Sequence, residues 1–195
     1  MELREFGRIA GTDEAGRGPL CGPVVAVAVV LTDEQCDELL ALGLTDSKKL
    51  SPRKRDALFV RMSSCGVLWR AQAASPERID RMNILQASLW AMRRCLLKLP
   101  PIFDTVIVDG AFSVPGVPFR QRALPKADSL IPAVAAASVV AKVLRDRVMD
   151  SLDVLYPEYG FRKHKGYPTT AHREALAALG PSPVHRKSFS WSAPS

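Results

Sequence analysis

Two adjacent acids, Asp13 and Glu14, are followed at once by a basic, glycine-rich turn, Gly16-Arg17-Gly18 (the GRG turn). Neighbouring carboxylates repel each other unless a cation or the solvent screens them. Glycine lets the backbone approach another molecule closely, and the arginine adds a positive charge. This pairing predicts a site for a metal ion and a phosphate group, although an isolated Asp-Glu pair is more often a solvated strand end.

Two further acids are candidates for the same site. Asp109 follows a short apolar segment, residues 105–108, that is typical of a buried strand, and Asp128 precedes a long predicted helix. Ligands of α/β sheets bind at the carboxyl ends of strands, so Asp109 meets Asp13 and Glu14 if their strands are neighbours. Asp128 is either a fourth ligand or the N-terminal cap of the helix.

A carboxylate set without clustered histidine or cysteine favours Mg²⁺ or Mn²⁺ over Zn²⁺. Two such ions can activate a water, orient a phosphodiester and stabilise the leaving oxygen. The acids therefore predict phosphoryl chemistry at a site that holds two ions when substrate is bound. Because consecutive strand residues point to opposite faces, Glu14 contributes by its side chain only if the strand ends or twists there. Otherwise it contributes by its backbone carbonyl or from the periphery.

The elements that must position these acids follow from the hydrophobic pattern. Strands are predicted at residues 6–12, 23–31, 67–74 and 105–108, with one or two short strands between 111 and 125. Helices are predicted at residues 33–42, 52–64, 84–97, 131–150 and 170–179, with a further helical region from residue 75 and a basic, aromatic loop at 156–167. Strands that first form a meander and then alternate with helices predict an α/β fold on a mixed sheet.

Size and charge restrict the class of protein. The 195 residues fit one domain, and 27 basic against 20 acidic residues give a net charge of +7, which favours a polyanionic partner such as nucleic acid or an anionic membrane surface. The longest apolar run, residues 24–31, is too short to span a bilayer, and the first residues have no signal-peptide pattern. We therefore expect a cytoplasmic protein. The four cysteines lack metal-ligand spacing, so neither zinc nor disulfides are expected.

Ten sequence blocks, in order along nearly the whole chain, resemble the bacterial ribonuclease HII family. The blocks are Gly11-Thr12-Asp13-Glu14-Ala15-Gly16-Arg17-Gly18-Pro19-Leu20, Gly22-Pro23-Val24-Val25, Asp46-Ser47-Lys48-Lys49-Leu50, Asn83-Ile84-Leu85-Gln86-Ala87, Asp109-Gly110, Lys126-Ala127-Asp128, Ala135-Ala136-Ala137-Ser138, Ala141-Lys142-Val143, Arg145-Asp146 and His164-Lys165-Gly166-Tyr167. Several of these blocks are weak singly, and their order carries the resemblance.

The resemblance implies an endonuclease of ribonuclease H-like fold, with a catalytic core at residues 1–150 and a helical C-terminal region at 151–195 of the same domain. Such an enzyme cuts the RNA strand of RNA–DNA hybrids, and cuts at ribonucleotides embedded in duplex DNA, leaving 5′-phosphate and 3′-hydroxyl ends. It also implies a role for each matched residue. The catalytic and metal-binding residues would be Asp13, Glu14, Asp109 and Asp128.

The resemblance assigns substrate recognition as well. The backbone of the GRG turn would sense the ribose 2′-hydroxyl, and Tyr167 would stack on the adjoining deoxyribose. This is chemically reasonable because the 2′-hydroxyl is the group that distinguishes RNA from DNA at a site.

Several other polar residues are candidates of lower weight. The expected contacts to backbone phosphates are Lys48, Lys49, His164 and Lys165, the last two because cations beside an aromatic residue are typical of nucleic-acid grooves. Ser138 is expected to pack or form a hydrogen bond rather than act as a nucleophile. Asp146 is either a further acid near the ions or an intrahelical partner of Lys142.

Two rival functions remain open from the sequence. Another nuclease of the same fold, such as a junction resolvase, could share the acids but would not need a turn that senses the 2′-hydroxyl. A basic nucleic-acid-binding module without chemistry would leave the acids unexplained. His172 and His185 have no metal-ligand spacing and are expected at the surface or in loops, and we expect a monomer.

Overall fold

The computed structural model describes residues 7–191. One sheet contains five strands: β1 (Ile9–Ala15), β2 (Val24–Val30), β3 (Leu68–Ala74), β4 (Thr105–Asp109) and β5 (Arg120–Leu124). The α-helices in this part of the chain are α1 (Asp33–Ala41), α2 (Pro52–Ser64), α3 (Pro76–Met82), α4 (Ile84–Leu96), α5 (Pro132–Leu155), α6 (Phe161–His164) and α7 (Thr170–Leu179). Short 3₁₀ helices lie at Ser47–Lys49, Ala127–Ser129 and Pro157–Tyr159.

The sheet is mixed, with the strand order β3-β2-β1-β4-β5. β1 and β2 are antiparallel, as are β2 and β3, whereas β1–β4 and β4–β5 are parallel. β2 lies near the middle and all seven of its residues are buried, which explains its continuous run of valine and alanine. The predicted α/β fold with a mixed sheet is confirmed.

The two faces of the sheet are covered by different helices. α5 packs on one face against Val27 and Val29, and α4 packs on the other against Ala26 and Ala28. The small residues of α5 let it approach closely: a Cβ on Gly11 would lie 2.7 Å from the carbonyl oxygen of Ala133. α5 therefore rests directly on β1, the strand that carries the first acids.

Helix starts follow the capping residues of the sequence closely. The hydroxyl of Ser51 accepts a hydrogen bond from the amide of Lys54, and Pro52 is the first residue of α2, as expected. Thr169 caps α7 by accepting from the amide of His172. Local side-chain chemistry thus accounts for these two boundaries.

Two expectations about local structure are wrong. β1 was expected at residues 6–12, but it pairs with β2 as far as Ala15 opposite Val25, so Asp13 and Glu14 lie inside the strand. Phe6 lies outside the described residues. The expected loop at 156–167 contains a 3₁₀ helix and α6, because the rings of Tyr159 and Phe161 stack at 5.2 Å and bury this segment against the end of α5.

The chain then returns to the beginning of the fold. The segment at residues 181–191 (the C-terminal segment) crosses beneath the GRG turn, where the amide of Arg186 donates to Leu20 O at 2.9 Å and the amide of Gly22 donates to Val184 O at 2.9 Å. None of the helices described between residues 7 and 191 has the length and hydrophobicity needed to cross a membrane.

Candidate active site

Three acids from three different elements meet at one end of the sheet. Carboxylate oxygens of Asp13, Asp109 and Asp128 lie within 4.8 Å of one another, and these residues form the acid cluster. The parallel pairing of β1 with β4, in register at Thr12 and Val108, brings Asp13 beside Asp109. This is the juxtaposition that the strand ends predict.

Asp128 reaches the cluster through a hydrogen bond made by its neighbour. The amide of Ala127 donates to Oδ1 of Asp109 at 2.8 Å, which ties the end of β4 to the 3₁₀ helix that carries Asp128. The alternative role of Asp128 as a helix cap is wrong, because the N-cap of α5 is Ile131 and its side chain accepts no hydrogen bond. Asp128 is 4% exposed, and its carboxylate faces the other acids.

The acid cluster is electrostatically strained. Burial, followed by the charges of Glu14 and Asp109, raises the pKa of Asp13 well above its usual range. Burial, followed by the charges of Asp109 and Asp46, raises the pKa of Asp128. Each shift reflects a carboxylate that is costly to ionise without a cation beside it. The donor set, oxygen throughout and negatively charged, is that of a hard divalent ion such as Mg²⁺ or Mn²⁺.

Glu14 lies next to the cluster but on the opposite face of β1. Its Oε1 accepts from Nη1 of Arg17 at 3.3 Å, and its side chain lines a small cavity of about 20 Å³ together with Asp109 and Leu85. Burial raises the pKa of Glu14, Arg17 opposes that shift, and Asp109 adds to it. Glu14 is thus close enough to Asp109 to feel its charge, although the alternation of side chains along β1 turns it away from the face of Asp13.

Two lysines stand at the rim of the cluster. Lys48 Nζ lies 3.8 Å from Oδ2 of Asp128, and its side chain is 80% exposed. Partial burial lowers the pKa of Lys48, but the surrounding acids, Asp128 first, outweigh it and leave that pKa raised. Lys49 Nζ donates to the hydroxyl of Ser129 at 3.4 Å. Both cations remain near solvent, where a backbone phosphate can reach them.

The two secondary candidates occupy different positions. The hydroxyl of Ser138 lies 2.7 Å from that of Ser47, and a hydrogen bond from Ser138 lowers the pKa of Asp13, against the larger effect of burial. Ser138 is thus a hydrogen-bonding residue beside the cluster. Asp146 accepts from Lys142 at 2.7 Å and lies 3.8 Å from Arg55, so it faces cations and lies outside the acid cluster.

The GRG turn and Tyr167 are brought together. Gly16 has a φ of +102°, and a Cβ there would lie 2.8 Å from Pro23 O and would collide with the Arg145 side chain, so only glycine fits. A Cβ on Gly18 would lie 3.7 Å from the ring of Tyr167. The ring is 43% exposed, so it offers one face beside the turn to an incoming molecule.

His164 and Lys165, the other two predicted phosphate contacts, bind groups within the protein. Nε2 of His164 bonds to Tyr159 O at 2.8 Å, and its Nδ1 accepts from the amide of Gly166 at 3.2 Å. The ammonium of Lys165 pairs with Asp150. These contacts favour a role for both residues in shaping the segment that ends at Tyr167.

His172 and His185 are buried, so a surface position is wrong for both. His172 lies in α7, whereas His185 lies in the irregular C-terminal segment, in agreement with the loop alternative. One pair of neutral tautomers satisfies all three contacts of these rings. In it, Nδ1 of His172 donates to Tyr167 O at 2.9 Å, Nε2 of His185 donates to Nε2 of His172 at 3.0 Å, and Nδ1 of His185 accepts from the amide of Ser182 at 2.9 Å. Cys21 Sγ and a nitrogen of each ring lie within 4.8 Å of one another, and the hydrogen bond between the rings satisfies both nitrogens without a metal ion. The pair instead ties Tyr167 to the C-terminal segment.

Two arginines next to the site were not predicted as site residues from the sequence. Arg145 and Arg186 are 1% and 0% exposed, and their guanidinium groups bind backbone carbonyls around the GRG turn. Arg145 falls in one of the ten matched blocks, but its contact with Pro23 O, 122 positions away, has no local sequence signal. The same holds for Arg186, whose carbonyl partners all lie more than 160 positions away in the chain.

Comparison with known proteins gives the relatives of this chain. Residues 10–192 match the family model of ribonuclease HII. A ribonuclease HII of Acaryochloris marina is 48% identical over 182 residues, 93% of this chain and 92% of that protein. The ribonuclease H2 of Pyrococcus horikoshii is similar in structure, with a TM-score of 0.75 and 29% identity over 94% of each chain. The ribonuclease HII of Archaeoglobus fulgidus, solved in a complex with PCNA, has a TM-score of 0.76 and 30% identity over 96% of this chain and 98% of that one.

Proposed function

The chain belongs to the ribonuclease HII family of endoribonucleases acting on RNA–DNA hybrids, and from that premise we propose that Asp13, Asp109 and Asp128 bind the divalent ions of its reaction. The observation that carries this proposal is the convergence of three carboxylates within 4.8 Å. The raised pKa values of Asp13 and Asp128 indicate that ionising the acid cluster is unfavourable without a cation.

These acids would hold Mg²⁺ or Mn²⁺, two ions with substrate bound, which would supply an activated water and stabilisation of the leaving oxygen. The protein's part is to hold their ligands in place. The amide of Ala127 fixes the Asp109 carboxylate, and Ser138 orients that of Asp13. Glu14, on the other face of β1, acts from the periphery by adding negative charge beside Asp109.

Recognition of the ribonucleotide rests on the GRG turn and Tyr167. The turn offers backbone amides to the 2′-hydroxyl, and the exposed Tyr167 ring stacks on the neighbouring deoxyribose. Lys48 and Lys49 hold backbone phosphates at the rim of the acid cluster. The enzyme then cuts the RNA strand of hybrids and cuts at ribonucleotides embedded in duplex DNA, leaving 5′-phosphate and 3′-hydroxyl ends.

The enzyme acts as a monomer in the cytoplasm. All four cysteines are free thiols, which fits a reducing compartment. The net charge of +7 supports long-range attraction to the nucleic-acid backbone.

The proposal is tested with three substrates, each with and without Mg²⁺ or Mn²⁺. They are a duplex that contains a single ribonucleotide, a duplex of DNA alone and a branched DNA junction. Only the duplex that contains the ribonucleotide is expected to be cut, and only when Mg²⁺ or Mn²⁺ is present. Cleavage of the junction would identify a resolvase, and binding without any cleavage would identify a non-catalytic module.

The ligand assignment is tested separately with Asp109→Asn, which removes a charged ligand while keeping an oxygen that can accept from Ala127. Cleavage should fall by at least 10³-fold, a loss of about 4 kcal/mol of transition-state stabilisation, with duplex binding largely retained. Asp56→Asn is the matched control, since Asp56 is exposed and pairs with Arg147 away from the cluster. Normal cleavage by Asp109→Asn would show that the acid assignment is wrong.

A further inference from the structure

The GRG turn is held from behind by a single buried side chain. Arg186 is 0% exposed, and its Nη2 donates to Gly16 O at 2.6 Å while its Nη1 donates to Arg17 O at 2.9 Å. Its Nε donates to Gly22 O at 3.0 Å. One guanidinium therefore fixes two successive carbonyls of the turn and a third just after it.

The partners of this cation are unusual for a buried arginine. Among the ion pairs of residues 7–191, none includes Arg186, and its charge is compensated by carbonyl dipoles and by the ring of Phe189, 5.0 Å away. Burial, followed by the nearby charge of Arg145, lowers the pKa of Arg186 to about 9. A buried charge is costly unless it is well hydrogen-bonded. An apolar side chain in this space would avoid the cost of the charge but would leave the carbonyls of Gly16, Arg17 and Gly22 without their donor.

The hydrogen bonds of Arg186 also fix the direction of the amides on the opposite side of the GRG turn. In a trans peptide the carbonyl and the following amide N–H point in opposite directions. Because Gly16 O and Arg17 O both point at Arg186, the amides of Arg17 and Gly18 point away from it. Neither amide has a hydrogen-bond acceptor within the described part of the chain. The ring of Tyr167 lies beside Gly18.

We propose that Arg186 is a positioning residue for ribose recognition, which sets the direction of the Arg17 and Gly18 amides by holding the carbonyls of Gly16 and Arg17. The proposal rests on the assignment of the GRG turn as the element that reads the 2′-hydroxyl. Lysine cannot replace arginine here, because an ammonium group is a point charge and lacks the planar fork that spans separate carbonyls. The specificity of the enzyme for a ribonucleotide then depends on a side chain that does not touch the substrate.

The test measures preference rather than activity. In an Asp109→Asn background, which binds without cutting, affinity is measured by fluorescence anisotropy for two duplexes that differ only in one 2′-hydroxyl. Arg186→Lys and Arg186→Met are each expected to reduce the ratio of the two affinities about tenfold, because two amide hydrogen bonds are misdirected. Affinity for the all-DNA duplex should change little, since the phosphate-binding lysines are untouched.

The matched control is Leu39→Ala. Leu39 is a fully buried residue of α1 in the core, so the substitution should lower stability without changing a contact of the GRG turn. It should leave the affinity ratio unchanged. Unfolding free energies are measured for every variant, and if Arg186→Met does not fold, Arg186→Lys decides. An unchanged ratio in the arginine variants, or an equal loss in Leu39→Ala, would overturn the proposal. If the parent itself shows no preference for the ribonucleotide, the assignment of the turn fails and this proposal with it.

Discussion

Replacing Asp109 with Asn is expected to make the metal-free protein more stable, although it removes catalysis. The reason is the repulsion within the acid cluster, where carboxylate oxygens of Asp13, Asp109 and Asp128 lie within 4.8 Å of one another. Two unit charges at that separation repel by about 3 kcal/mol at an effective dielectric constant of about 20. Burial and this repulsion together raise the pKa values of Asp13 and Asp128, while solvent and the nearby Lys48 screen part of the repulsion. The net gain in unfolding free energy should therefore be about 1–3 kcal/mol.

Asparagine is the informative substitution because it changes the charge and little else. Its amide oxygen can still accept the hydrogen bond from Ala127, which ties β4 to the 3₁₀ helix of Asp128. The variant thus separates the charge of Asp109 from its structural contact.

The measurement is urea unfolding at neutral pH, first with a chelator and then with Mg²⁺ or Mn²⁺. A metal that binds only the folded state adds about 2.7 kcal/mol when its concentration is 100 times its dissociation constant. The wild type should show this gain with saturating metal, and Asp109→Asn should show much less. Asp56→Asn, outside the cluster, should behave like the wild type in both conditions. A variant that is less stable than the wild type in chelator would refute the argument from repulsion, and an undiminished metal gain would refute the assignment of Asp109 as a ligand.

Three further outcomes are expected. Gly11→Ala should lower the unfolding free energy by about 3 kcal/mol and reduce the activity of the folded fraction, because α5 must move off β1. Gly66→Ala, whose Cβ meets nothing within 4 Å but whose φ of +70° costs about 1 kcal/mol, should lose stability and keep its specific activity in the same assay. Burial and the neighbouring His172 lower the pKa of His185 to about 4. The stability contributed by the neutral ring is therefore fully present above pH 6.5, and up to about 3 kcal/mol should be lost as the pH falls from 6.5 towards 4. A urea-unfolding pH profile of His185→Asn that keeps this slope would contradict the assignment of the slope to His185. Tyr167→Ala should reduce discrimination at the RNA–DNA junction about tenfold in cleavage assays while affinity for plain duplex changes little, and equal losses would count against stacking.

The parts of the site that were predictable from sequence are those coded locally. Asp109 follows a short apolar run and is therefore placed at the carboxyl end of a strand, although the pairing of that strand with β1 is open from the sequence. Ser51 and Pro52 mark the start of α2 in the same way. Both inferences need only the period of the hydrophobic pattern and the chemistry of the residue next to it.

The parts that were not predictable depend on pairing between distant segments. β1 extends to Ala15 because Val25 provides a partner there, and nothing within residues 6–15 indicates that length. His172 and His185 lack any metal-ligand spacing, yet they are buried because each satisfies the other. In the sequence, Arg186 is one of several basic residues near the C-terminus. Its position becomes clear only from its contact with the carbonyl of Gly16, 170 positions away.

The contact between Arg186 and Gly16 spans 170 positions, which has a consequence for how the protein is made. Synthesis proceeds from the amino terminus, so the sheet and the acids of β1, β4 and the 3₁₀ helix all emerge before residue 186 does. Closing so long a loop comes late because its entropy cost is met only after the intervening chain has collapsed. The nascent chain is therefore expected to bring the acid cluster together first and to fix the GRG turn last.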